Sequence, residues 1–131
     1  MFAARTISVS INRPLNEVYD FAHVPDNFLK WASGLAATLR KVGDNWIADT
    51  PDGKAEVRFS QPNAYGVLDH WVAFADRAEI YIPLRVIAND GGSEVSLTIF
   101  RLPEMDDARF ERDAGMVEKD LAKLKAILEA S

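Results

Sequence analysis

The segment RTISVSI, residues 5–11, sets Ile7, Val9 and Ile11 against Thr6, Ser8 and Ser10, the two-residue period of a strand with one buried face. Pro14 ends this strand and suits a first helical turn. In PLNEVYDFA, Leu15, Val18, Tyr19 and Ala22 share one helical face. Pro25 breaks that helix, and DNFLKWAS reads as a second short one, with Asp26 as its N-cap and Gly34 just past its end. From residue 35 to 102 turn signals recur at short intervals (GDN, PDG, QPNAYG, ADR, NDGG). The runs between them predict about six consecutive antiparallel strands joined by hairpins. Beyond Pro103 the period changes. Phe110, Ala114, Val117, Leu121, Leu124 and Leu128 form one apolar stripe of a long helix capped by Asp106. Acids crowd its first turns and Lys123 and Lys125 lie near its end, as the helix dipole favours.

This order predicts an α+β fold: a curved antiparallel sheet, two short helices, and a long C-terminal helix. A sheet with one apolar face must cover it, and only the last helix is long enough. At about 1.5 Å per residue, about 24 residues give a helix near 36 Å. A curved sheet gripping such a helix leaves space between them, so a pocket is expected.

Within this frame the run GVLDHWVAF, residues 66–74, places Asp69 beside His70. Successive strand residues point to opposite faces, so the two cannot act as a dyad while the strand is regular. A three-residue ADR loop to a strand over 78–88 sets His70 opposite Ile82, Val72 opposite Ile80 and Leu68 opposite Leu84. A two-residue loop would leave Leu68, Val72 and Phe74 on the polar side, so the first register is favoured. The NDGG hairpin extends the same face, with Val86 opposite Val95, Leu84 opposite Leu97 and Ile82 opposite Ile99. His70 is then the one titratable group on the inner face, and Asp69 meets solvent. On the outer face Trp71, Tyr81 and Phe100 form an aromatic row across three strands, with Asp69 and Arg85 diagonal to each other. Such a row is either a partner surface, a second copy of the chain included, or cross-strand pairing that stiffens the sheet.

Composition narrows the chemistry. With 131 residues the chain is expected to be one domain, 1–131, large enough to hold a core without metal or disulfide. There are no cysteines, which removes thiolate zinc sites and cysteine nucleophiles. A formal charge of -5 without a basic run argues against nucleic acid as a partner. No secretory leader and no run of roughly 20 apolar residues is read, so no membrane insertion and a cytoplasmic location are expected. His23 and His70 are the only histidines. No HExxH, GxSxG, phosphate loop or dinucleotide fingerprint occurs, so no metal and no cofactor is expected.

Several segments together, ISVSINRPLNEVYDFAHVPDNFLKW, YGVLDHWV, IPLRVIANDGGSEVSLTIFRLPEM and FERDAGMVEKDLAKLKAILE, span nearly the whole chain. They resemble the START-like or SRPBCC superfamily, in particular bacterial polyketide cyclase/dehydrase-like proteins. The resemblance implies the helix-grip, Bet v 1-like fold, with a hydrophobic cavity between sheet and C-terminal helix. Members of this superfamily bind lipids, hormones or polyketides, and some are cyclases, hydrolases or partners of other proteins. They share no common catalytic set, so no catalytic residue is carried over.

The candidate ligand-binding residues are Trp31, Phe59, Leu68, His70, Ile82, Leu97, Val117 and Leu121, the last two as the pocket floor. Ala55 and Val57 are expected to face inward with Phe59. His70 admits three roles: acid/base catalyst, ligand-orienting group, or hydrogen-bonded core residue. Trp31 either stacks on a ligand or plugs the helix junction. Gly115, inside the long helix, either makes room for a close backbone approach or sits idle on the solvent side. The leading expectation is binding of a small apolar ligand, aromatic, polyketide- or lipid-like. The alternatives are a cyclase/dehydratase-like enzyme using His70, and an interaction module or homodimer using Trp71, Tyr81 and Phe100.

Overall fold

The computed structural model describes residues 1–32 and 38–131; the helix end expected at Gly34 lies outside the described residues. In chain order the elements are β1 (Ala4–Ile11), α1 (Leu15–Ala22), α2 (Pro25–Trp31), β2 (Thr38–Val42), β3 (Asn45–Thr50), β4 (Gly53–Phe59), β5 (His70–Phe74), β6 (Ile80–Ile82), β7 (Leu84–Asn89), β8 (Gly92–Phe100) and α3 (Asp107–Glu129). All strand pairs are antiparallel, as expected for an α+β helix-grip arrangement.

The local signals explain most boundaries. Along β1 Ile7, Val9 and Ile11 turn inward while Ser8 and Ser10 stay exposed. Pro14 fixes the entry to α1 and its carbonyl accepts from Val18 N. Pro25 does not merely end α1: it occupies the first position of α2, where its missing N–H costs nothing. Val24, not Asp26, is therefore the N-cap, and Asp26 lies in the first turn. Asp106 caps α3 by accepting from Arg109 N at 2.7 Å, and Ala114, Val117, Leu121, Leu124 and Leu128 are its buried stripe.

The sheet differs from expectation at one residue. The run 78–88 is not one strand but two, β6 and β7, separated at Pro83. Proline has no N–H to give to a ladder. The strands accordingly divide into a three-stranded sheet, β1-β8-β7, and a five-stranded sheet, β2-β3-β4-β5-β6. The expected pairs His70–Ile82, Val72–Ile80, Leu84–Leu97 and Val86–Val95 are present, whereas the expected Ile82–Ile99 ladder pair is lost at the break. The sheets remain joined through the segment before β5: Leu68 N donates to Leu84 O at 2.8 Å and Val86 N to Gly66 O at 2.9 Å. Gly66 is required there. Its φ is +71° and an added Cβ would lie 2.1 Å from Val86 O.

One core cluster joins Ile11, Val18, Phe28, Trp31, Leu84, Val86, Val95, Leu97, Val117, Leu121 and Leu124. Helix α3 is tied to the β1 side of the fold. Arg5 pairs with Glu111, and Lys125 Nζ donates to Ser10 O at 2.6 Å. Arg13 donates to Glu129 O at 2.8 Å.

Gly115 has nothing within 4 Å of the position a Cβ would take, so it accommodates no close approach. Gly115→Ala should raise unfolding free energy by up to about 1 kcal/mol through helix propensity. Urea denaturation would measure it, and a loss of stability would contradict this reading.

Candidate functional site

Two cavities lie on the inner side of the five-stranded sheet. The first is lined by Tyr19, Ala22 and His23 of α1, Phe28 and Trp31 of α2, Phe59, Ser60, Val67, Leu68, His70 and Leu84. The second is lined by Phe28, Leu29, Leu39, Ala48, Val57, His70 and Val72. They amount to about 20 and 40 Å³. Each is large enough for water and far below the roughly 300 Å³ of a small-molecule pocket.

Phe28 and His70 belong to both linings and stand between them. Their rings meet edge to face with centroids 5.4 Å apart. Phe28 also meets Trp31 at 5.4 Å and Phe59 at 5.5 Å, so one phenyl ring organises an aromatic cluster. The signal for it lies in the sequence: Phe28 and Trp31 are spaced i, i+3 on one short helix, and Tyr19, Ala22 and His23 share a face of the other.

His70 faces inward and is 1% exposed. Its Nδ1 lies 3.3 Å from Leu68 O. A carbonyl only accepts, so Nδ1 carries the proton and Nε2 presents a lone pair. Burial pushes the pKa of His70 down to about 4, against the opposing pull of the Leu68 carbonyl and the Asp69 charge. The imidazole is therefore neutral at pH 7. Among the described residues its Nε2 has no hydrogen-bond partner, nor has Nε1 of Trp31, which is 2% exposed.

Asp69 does not meet solvent; it is 4% exposed. Its carboxylate accepts from Leu84 N (2.9 Å), Arg85 Nε (2.9 Å), Arg85 Nη2 (2.8 Å) and the Tyr81 hydroxyl (2.7 Å). The reason is the break at Pro83, which brings the first N–H of β7 to the outer side of the bend. Burial alone would raise the pKa of Asp69, but the bonds from Arg85, Tyr81 and Leu84 outweigh it and hold the value at about 2. The same carboxylate raises the pKa of Arg85 above its ordinary value. Asp69 and His70 thus serve opposite faces, with no contact between them that makes a dyad.

Of the other candidates, Trp31, Phe59 and Leu68 line the first cavity. Ile82, Leu97, Val117 and Leu121 line neither: Leu97, Val117 and Leu121 are in the packed core, and Ile82 flanks it. Val117 and Leu121 are a packed layer rather than a pocket floor. Ala55 and Val57 are buried, as their alternation implied. On the outer face Trp71 stacks on Tyr81 at 5.4 Å, and Tyr81 on Phe100 at 6.3 Å. Arg58 covers the Trp71 ring at 4.2 Å, and Tyr81 is 38% exposed.

The sequence matches no protein-family model and no curated protein. Its likeness to solved structures is extensive. A START superfamily protein from Mycobacterium smegmatis superposes with a TM-score of 0.70 at 11% identity, over 97% of this chain and 97% of that one. The Aha1 dimer from Colwellia psychrerythraea gives 0.74 at 14% identity, over 97% and 96%. DynU16, a protein of the dynemicin biosynthetic locus, gives 0.67 at 16% identity, over 96% of this chain and 47% of that one. The chain therefore has the START-like, helix-grip fold, as its sequence resemblance implied. Among the described residues no helix is long and apolar enough to cross a membrane.

The two titrations make acid stability a test of this geometry. The folded pKa of His70, about 4, lies below its ordinary 6.5. Its contribution is complete above about pH 6.5 and is lost as pH falls toward 4. The contribution of Asp69, whose pKa falls from 3.8 to about 2, is present above about pH 4 and is lost toward 2. Between pH 7 and 4 the wild type should lose on the order of 3 kcal/mol through His70. In urea titrations His70→Phe should flatten the pH dependence in that window. An unchanged slope would place the imidazole in solvent.

Proposed function

We propose that the protein binds a small, largely apolar molecule in the space shared by α1, α2 and the inner face of β4 and β5. The observation that carries this reading is the pair of neighbouring cavities divided by the Phe28 and His70 rings. Protein interiors are close-packed, and Phe28 and His70 line two neighbouring cavities here. Rotation of Phe28 out of the partition would merge them into a single chamber walled by Leu39, Ala48, Val57, Val72, Phe59 and Trp31. Binding free energy then comes from burial of apolar surface, and flat aromatic bodies suit the ring-lined walls. The match to DynU16 supports polyketide-like molecules as one ligand class. A cyclase- or dehydratase-like reaction through His70 has less support. With its pKa near 4 the neutral imidazole is a weak base at pH 7.

Naphthalene is a suitable probe. Titration into 15N-labelled protein should shift the Trp31 indole signal with saturation, and native mass spectra of protein taken directly from cells should show retained mass. Ala48→Leu, which fills the second cavity, should weaken naphthalene binding about tenfold or more. No saturation up to the solubility of naphthalene would remove this reading.

A second reading is self-association through the outer row, favoured by the exposure of Tyr81 amid Trp71 and Phe100. The fold match to the Aha1 dimer supports it. Trp71→Ala should shift a concentration-dependent dimer toward monomer in sedimentation velocity; an identical mass distribution in wild type and variant would exclude the row as the interface.

A further inference from the structure

Independently of the binding reading, we infer that Asp90 is a site of covalent self-modification. Its side chain closes on the Gly91 nitrogen to a cyclic imide, which opens to an isoaspartyl linkage at the tip of the β7–β8 hairpin. The chain has a second Asp–Gly step, Asp52–Gly53, which the fold holds back.

The reaction needs no partner but water. The backbone nitrogen of Gly91 attacks Cγ of Asp90, and the new C–N bond closes a succinimide ring. The displaced hydroxyl leaves as water, taking the amide proton. Water then adds to either ring carbonyl. Opening at the side-chain carbonyl restores aspartate. Opening at the main-chain carbonyl leaves the chain running through the side chain, longer by a carbon. A water molecule leaves and another returns, and nothing is oxidised or reduced. Glycine suits the attacking position because it has no Cβ to crowd the ring. At Gly91 the surroundings are open too, with nothing within 4 Å of the place a Cβ would take.

Both steps lie at hairpin turns, so the contrast comes from what surrounds them. At the first turn Gly53 is already in the β3–β4 ladder, opposite Thr50, and its nitrogen is held there. The Asp52 carboxylate is tethered as well: Arg109 Nη2 donates to it at 2.6 Å, and Arg77 Nη1 lies 4.0 Å away. At the second turn the ladder ends with Asn89 opposite Gly92, which leaves Gly91 in the loop. Asp90 is exposed, and its carboxylate has no hydrogen bond or ion pair among the described residues. Its φ of +50° makes it the one non-glycine residue with positive φ among them, a conformation aspartate tolerates without favouring. The side chain is free to turn onto the Gly91 nitrogen. The longer linkage then acts on a tight neighbourhood. A Cβ on Gly92 would lie 2.9 Å from Ile11 O, and Asn89 Nδ2 donates to Glu94 at 2.9 Å. An added carbon at the tip disturbs the Asn89–Gly92 pairing.

The test ages folded wild-type protein at neutral pH in water enriched in 18O, where each ring opening leaves a heavy oxygen, and then digests it with trypsin. Peptide 86–101 carries Asp90 and no other aspartate, and peptide 42–54 carries Asp52. Electron-transfer fragmentation locates the heavy oxygen and the isoaspartyl backbone. Both should build up at Asp90 about fivefold faster or more than at Asp52, because the Arg109 ion pair has to open first. In urea, where neither turn exists, the two steps should react at similar rates. Asp90→Glu, whose ring closes far more slowly, should abolish the product in 86–101 and leave 42–54 unchanged. Arg109→Ala should speed the reaction at Asp52. The wild-type comparison decides without either variant. Equal rates in the folded protein, a faster reaction at Asp52, or no heavy oxygen at Asp90 in the time the urea-unfolded chain takes to react would each overturn the inference.

Discussion

The bend at Pro83 is held by one buried carboxylate. A proline interrupts the chain between β6 and β7, the ladder divides there, and the first N–H beyond it has no strand to donate to. Asp69 supplies the acceptor. Its two oxygens take the Leu84 N–H, two guanidinium nitrogens of Arg85 and the Tyr81 hydroxyl. An ionised carboxylate buried to 4% exposure is costly unless its lone pairs are answered, and here they are answered from both sides of the break. The arrangement also explains the aromatic row: Tyr81 is held in place by its hydroxyl, and Trp71 and Phe100 stack on its two sides.

This anchor fixes what lies inside. Neighbouring residues leave an extended chain on opposite sides, so anchoring Asp69 outward directs His70 inward, at the start of β5 and opposite Ile82. The position of the cavities has a second cause. Helix α3 is bound along the β1 side, where its stripe packs against the three-stranded sheet and α2. Space is left on the other side, between α2 and the small inward side chains Ala48 and Val57 of the five-stranded sheet. That is why Val117 and Leu121, on the helix, reach neither cavity. Phe28, on α2, reaches both.

The strand alternation of β1, the stripe of α3 and the inward face of His70 are legible in the sequence, because each follows from periodicity within one element or across one hairpin. So is the break, in principle. Pro83 sits inside an otherwise strand-like run, and proline in such a run marks an edge or an interruption. Reading the run as continuous leaves Asp69 in solvent and Ile82 paired with Ile99; giving the proline its full weight removes both errors. The lining of the cavities is less legible. It depends on how closely two short helices approach the sheet, which is set by the packing of Phe28, Trp31 and Phe59 across long stretches of sequence. No local spacing encodes that distance.

The same physics bears on why an imidazole and an indole occupy this position at all. If packing alone were at stake, a phenyl ring at 70 would occupy the position with no polar atom to satisfy. His70 instead loses stability on acidification, since its burial holds it neutral, and His70 and Trp31 each leave a nitrogen without a partner among the described residues. Asp69 shows how this fold treats a buried polar group whose role is purely structural, for both of its oxygens are engaged. The contrast lies within two adjacent residues. One polar group is saturated by the protein, while its neighbour, which lines both cavities, keeps a nitrogen with no hydrogen-bond partner among the described residues. Such asymmetry supports the binding proposed above, in which the partner of that nitrogen comes from outside the chain.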